Sequence, residues 1–548
     1  MKLKRLFVNA SITFSFIFFI NNCGVGPTED IFFDPDEQEE CVTAEDCSNF
    51  LDTGYLTLFQ TLVSSYGVNM HLLADQATST NNVRGFYTAS QEPREPINNL
   101  AFNGREAPNY ETFFDNFQRT NLIATEVISN SNLYAGSERN KVLAKSYLLR
   151  GIARGYLGLI FDKIPYYIND DEFEFLGYAD LIDSSLIDLN KAISFTVNTG
   201  DPSSDSNFDF AFDGVPGGKN TWRESELRVV ANSYAARILA SKARTYNEAL
   251  ETNWQQVLDY ANKGIGSSES SLEVFSLSTI GSNGEFSNQL ADWLNQIIEG
   301  DFETGAGYIP TDIKILHLLD ENYPTEYPLE GISGGQLVLD PANSPDPRLN
   351  EYYKNTQNIG FLRQERNTAL FSNYFGKRMF ADNNWQDLEN DIIYFTDSEI
   401  EYLKAEAHFM LSQKTEAAAI LNLSPAGNGT TYLGFSLPAL RKDYITNNSL
   451  SGNYQFTGTE SLAEIQLVLL REYSVEIDIL GGIGVPWFFM RRHDLLQEGT
   501  PTMYPLPGLE LEILDLPVYS FGGMLRIGEV GTASGANSWK NLRERISN

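Results

Sequence analysis

Trp293 (in ADWLNQ), Tyr308 (GAGYIP) and Trp385 (DNNWQD) share a setting: each is a flat aromatic side chain among amides, acids and glycines. A sugar ring presents a flat apolar face edged with hydroxyls. A site for neutral sugars therefore needs aromatic platforms with amide, carboxylate or guanidinium groups beside them to fix orientation. The stretch DQATSTNNVRGFY repeats that combination with Asp75, Asn82, Arg84 and Tyr87. These seven residues are the candidate ligand contacts. Any one of them, taken singly, is as readily a packing residue. Trp222, in GGKNTWRES, reads as packing at a helix start.

Bond-making chemistry has no such support. The sequence lacks HExxH, a GxxxxGK[ST] phosphate loop, GxGxxG after a strand and a GxSxG elbow. Its four histidines, His71, His317, His408 and His493, are isolated from one another and read as surface or helix-packing residues. With 73 Asp and Glu, acidic pairs of glycosidase spacing arise without meaning. Asp205-Ser-Asn207-Phe-Asp209 has the look of calcium ligation but lacks the turn glycine and a downstream bidentate Glu, so it reads as a solvated loop. No catalytic residue, metal or cofactor is expected. A net charge of −34 repels nucleic acid and anionic membranes.

The elements that would carry the candidate contacts follow from periodicity. Residues 1–22 have the layout of an export signal, with Lys2, Lys4 and Arg5 before a short apolar run, Ile12 to Ile20. Cleavage before Cys23 would leave that cysteine N-terminal and open to lipidation. Residues 23–50 read as an acidic tether. Within it Cys41 and Cys47 are close enough in sequence to close a small disulfide, two free thiols being the alternative. A helical region covers 51–265, with helices expected from about 53 to 73, 110 to 134, 144 to 161, 178 to 195, 222 to 249 and 253 to 265. The 144–161 helix places Ala144, Leu148, Ile152, Tyr156 and Leu159 on one stripe, and Pro165 stops it. Ala231, Ala235, Ala236, Ala240 and Ala243 make the 222–249 helix small-sided, which permits close approach of a neighbour. Residues 266–395 are irregular, too long for one plain loop, and read as a loop-rich ligand-facing subdomain. Helices return over 396–548, one from a Thr396–Glu399 capping box, one at 415–422, and one from a Ser461–Glu464 box to about Ile479. The expected class is mainly α, a scaffold of paired helices of tetratricopeptide type.

Several stretches, in order, resemble the SusD/RagB family of outer-membrane lipoproteins of Bacteroidetes. AKSYLLRGIARGYLGLIFDKIPY (144–166) is similar to the family's Ala/Leu/Arg helix and Phe-Gly-x-x-Pro turn, with Asp162 where glycine is usual. Gly217 to Ala240 is similar to its Gly-Gly, Trp and alanine-rich segment, and Asp346-Pro347-Arg348 to a recurring Asp-Pro-Arg. Residues 392–409 resemble the segment ending in Ala-Glu-Ala, here Ala405-Glu406-Ala407. Arg471-Glu472, Glu476 and Arg491-Arg492-His493-Asp494-Leu495 resemble the C-terminal signature, with Ile477 replacing a glycine and DILGGIGVP interposed. The resemblance implies a non-catalytic tetratricopeptide-like fold, anchored by lipidated Cys23 at the outer face of the outer membrane. It further implies capture of oligosaccharides, or in some members peptides, for a SusC-like TonB-dependent transporter. The alternatives are a peptide cargo, a lipid-anchored glycan hydrolase and a helical scaffold for protein partners.

Overall fold

The computed structural model describes residues 41–547, apart from 64–66, 80–84, 101–109, 170–171, 197–206, 210–220, 279–299, 302–305, 308, 327–331, 334–335, 338, 345, 356–371, 377–390, 424–455 and 479–481. In chain order the helices are α1 (Ala44–Thr61), α2 (Val68–Leu73), α3 (Phe86–Ser90), α4 (Tyr110–Ser129), α5 (Gly136–Ile160), α6 (Tyr178–Phe195), α7 (Glu224–Ala240), α8 (Tyr246–Glu251) and α9 (Trp254–Ala261). They continue with α10 (Ile313–Leu319), α11 (Arg348–Tyr352), α12 (Asp397–Met410), α13 (Lys414–Leu423), α14 (Leu462–Val475), α15 (Val485–Arg492), α16 (Gly508–Ile513) and α17 (Leu542–Ser547). The described strands form only two-stranded antiparallel ladders. Mainly α is the class observed.

Successive helices pack as neighbours: α1 on α4, α4 on α5, α5 on α6, α6 on α7, α7 on α9, α9 on α12 and α12 on α13. This stacking of helical hairpins buries a continuous core. The stripe read from the sequence, Ala144 to Leu159, is buried along its length. What lets α5 approach α6 closely is its glycines. A Cβ at Gly158 would meet the Tyr178 carbonyl oxygen at 2.9 Å and Ile182 Cγ1 at 2.8 Å. The alanines of α7 are buried as expected.

Where the structure departs from the sequence reading, tertiary contacts explain it. α1 begins at Ala44, inside the stretch read as tether, because Thr43 and Asp46 form a capping box. Cys41 and Cys47 are joined in a disulfide beside that cap, and with Val127 and Val142 they form a small separate core. The expected 222–249 helix is two, α7 and α8, since Arg244 in the break donates to the carbonyls of Gly158 and Phe161 at the end of α5. Pro165 lies within a hairpin of β1 (Lys163–Asn169) and β2 (Glu172–Gly177), opposite Phe175. The helix from Ser461 ends at Val475. Thr396 caps α12 from its side chain, but the Glu399 carboxylate, expected to complete the box, turns inward to Arg237. Trp222 is buried just before α7, on a short strand, Thr221–Arg223. No described helix is long and apolar enough to cross a membrane.

Candidate functional site

Three chain segments that lead into candidate loops are joined at one place. Ala77 bridges Thr311, the Thr78 N–H donates to the Pro310 carbonyl at 3.0 Å, and the Asp312 N–H donates to the Gln76 carbonyl at 3.1 Å. The Thr311 N–H donates in turn to the Tyr374 carbonyl at 2.8 Å, and the Ser372 hydroxyl to the Thr311 carbonyl. From these junctions the sequence runs to Asn82 and Arg84, to Tyr308, and past the strand Tyr374–Gly376 to Trp385. A second ladder holds the remaining stem. Strand Val274–Ser278, which precedes the Trp293 stretch, pairs with strand Asp391–Thr396, which follows Trp385, and Ser278 stands opposite Asp391. Phe275 of this ladder packs edge-on against Phe59 of α1 and Trp222.

Beneath the first junction lies a buried polar floor. Asp75, in a left-handed conformation (φ 52°), is wholly buried; its carboxylate pairs with the Arg94 guanidinium and accepts from Trp539 Nε1 at 2.8 Å. Gln76 donates from Nε2 to the Ser474 carbonyl at 3.0 Å and accepts from Lys314 Nζ at 2.6 Å. Asp312 caps α10 by accepting from the Lys314 N–H at 2.8 Å. Burial pushes the Lys314 amine down to about 8, against the pull of Asp75 and Asp312. Burial, and then the charge of Asp75, pushes the Asp312 carboxyl up. The floor ties α2, α10, α14 and the C-terminal segment together and offers no group to the surface. Asp75, expected as a ligand contact, is thus an interior anchor, and Tyr87 is half-buried on α3. Asn82, Arg84, Trp293, Tyr308, Trp385 and Cys23 lie outside the described residues.

The family-like motifs converge in the interior. Arg348 donates to Asp346 at 2.9 Å, to Glu472 at 3.0 Å and to Glu476 at 3.0 Å. Arg471 also reaches Asp346, and the Tyr402 hydroxyl donates to Glu472 at 2.9 Å. Nearby, Arg492 grips Glu406 through two bonds of 2.8 and 2.7 Å, and His493 Nε2 stands 2.8 Å from the same carboxylate. Burial alone would raise the Glu406 carboxyl, but Arg492 and His493 hold it down to about 2. Arg491 donates to the Leu159, Thr502 and Ser241 carbonyls, neutralising the ends of α5 and α7. Breaking such buried pairs is costly because a lone charge remains. All are structural. Sequence reading found the motifs but not that they join. It missed Lys314 and Trp539, since partners 238 and 464 positions away leave no local pattern, and Arg94, whose partner Asp75 lies 19 positions back, outside any helical or strand spacing.

One described carboxyl, Asp115 on α4, is pushed up to about 7, by burial first and then by Glu510 and Glu111. Burial, with two further acids crowded at the same helix end, accounts for that shift without a reaction. Among the described residues no group of three His, Cys, Asp or Glu side chains is placed to hold a metal ion.

A stack of helical hairpins with loop stems gathered over a buried polar floor defines a SusD-like fold. A SusD homolog from Bacteroides thetaiotaomicron VPI-5482 superposes with a TM-score of 0.55 at 11% identity, covering 89% of this chain and 99% of that one. A SusD superfamily protein from the same organism gives 0.51 at 14% identity, over 86% and 93% of the two chains. No family model matches the sequence, and no curated protein matches it. At these identities the likeness establishes the fold.

Proposed function

We propose that the chain is a non-catalytic capture protein that binds oligosaccharides or polysaccharides and hands them to a TonB-dependent outer-membrane transporter. Lipidated Cys23 would tether it to the outer face of that membrane. The observation that carries the reading is the gathering of loop stems. Segments leading to Asn82 and Arg84, to Tyr308 and to Trp385 leave from one hydrogen-bonded junction on a SusD-like scaffold. A sugar chain needs several aromatic and amide groups brought to one face from distant parts of the sequence, and a common junction supports that. Tyr87, from α3, stands next to the first of these stems, where the Ser90 hydroxyl donates to the Ser79 carbonyl at 3.1 Å. Stacking with a few hydrogen bonds gives weak binding, which suits a protein that must also release its cargo.

The test is affinity electrophoresis of the chain from residue 24 onward through gels carrying neutral and acidic polysaccharides, with peptides titrated in parallel by calorimetry. Retardation by one glycan, lost in Trp385→Ala or Trp293→Ala and without release of reducing ends, is the expected result. Heat on adding peptides with no glycan retarding the protein would move the cargo to the peptide class. New reducing ends would make it a hydrolase.

A further inference from the structure

We propose that the C-terminal apolar face is a docking surface for another protein, one whose contact face is apolar at its centre and carries Lys and Arg at its edge. Single exposed apolar side chains are ordinary, but here they are concentrated. Leu509 and Ile513 on α16, Val518, Leu525 and Val530 are all exposed; Ile513 is 64% exposed, Val530 83% and Leu525 100%. Leu100 joins them. The Pro96–Gly522 bridge and the Ile97 N–H bond to the Phe521 carbonyl (2.9 Å) set an antiparallel register, and its continuation puts Leu100 opposite Val518.

The face is built to hold its shape. The Gly523 N–H donates to the Gly499 carbonyl at 2.8 Å, Thr502 to Gly531 at 2.9 Å and Ala533 to Thr500 at 2.8 Å. The Arg526 guanidinium turns back to the Ser520 carbonyl. Gly531 is left-handed (φ 87°), and a Cβ there would run into Phe521 and Met503. Leu525 is thus presented at the crest of a loop pinned on both sides, so little ordering is lost on docking.

Charge selects the occupant. Glu512, Asp515 and Glu529 are exposed among the apolar residues, while the one cation in that stretch, Arg526, is turned to a carbonyl. An anionic lipid surface meets three exposed carboxylates and a chain of net charge −34. A second copy brings the same charges face to face. A protein face with an apolar centre and a basic rim satisfies both features, in the usual arrangement of an interface. The inference is independent of the cargo.

The test places p-benzoylphenylalanine at position 525 of the full chain in its own cells and identifies the photoadduct by peptide mass spectrometry. One protein, joined through a peptide in which apolar residues neighbour Lys or Arg, is expected. Its yield should fall about tenfold in an Ile513→Asp, Val530→Asp variant, and similarly in the surface charge reversal Glu512→Lys, Glu529→Lys. The photo-group in place of Leu250, exposed on α8, should give no such adduct. An adduct to lipid or to a second copy, no protein adduct, or a yield unchanged in both variants would overturn the proposal.

Discussion

At the scale of single residues, Glu406 shows how a buried charge can be recognised in solution. Its carboxylate is held at about 2 by Arg492 and His493 against the opposing effect of burial, while a free glutamate titrates near 4.5. A carboxyl depressed in the folded state adds stability that is fully present above the unfolded value and is lost as pH falls through 4.5 toward 2. Wild type should therefore lose roughly 2 kcal/mol more than Glu406→Gln between about pH 6 and about pH 3, at ~1.4 kcal/mol per unit. Urea denaturation at both pH values measures it, and parallel losses in the two proteins would sink the argument. Ala405-Glu406-Ala407 was legible as a motif, and so was the Arg-Arg-His run. That each completes the other was not, because 86 positions separate Glu406 from Arg492.

At the scale of elements, α5 and α6 are held at close range by glycine. Gly158→Ala would place a methyl 2.9 Å from the Tyr178 carbonyl and 3.1 Å from Leu181 Cβ. The backbone of α6 cannot yield cheaply, so a loss of about 1–3 kcal/mol is expected, although alanine favours a helix interior over glycine by about 1 kcal/mol. Gly376→Ala, which meets nothing within 4 Å, should change stability by less than about 0.5 kcal/mol. Thermal or urea melts of the two variants decide the matter, and equal stability would mean that the helices slide apart at no cost. The bounds of α6 were readable from its periodicity. Its partner face on α5 was not: α6 meets the row Gly151, Gly155 and Gly158, whereas Tyr156 of the apolar stripe packs on Phe117 and Tyr234. The break between α7 and α8 was not readable, because Ser241 to Thr245 contains neither glycine nor proline. It is enforced by Arg244, whose side chain is committed to the end of α5. The hairpin after Phe161 was missed for the opposite reason: the alternation of Phe173 and Phe175 is a strand signal, but it is short.

At the scale of the whole molecule, charge governs which cargo can approach. The chain carries 73 acidic against 39 basic residues, and its field reaches about 8 Å into physiological salt. Of the candidate contacts only Arg84 is cationic. The aromatic and amide types were legible in the sequence; which of them share a face depends on the stems that only the fold brings together. A neutral polysaccharide should then retard the protein equally from about 0.05 M to about 0.5 M NaCl, since stacking on aromatic rings does not involve net charge. A uronate-rich or sulfated chain should retard it only toward the high end, where screening shortens the repulsion to a few ångströms. Affinity electrophoresis across that salt range tests both arms in one series. Tighter binding of the acidic chain at low salt would instead require a cluster of cations at the loops, overriding the global field, and would return Arg84 to the centre of the site.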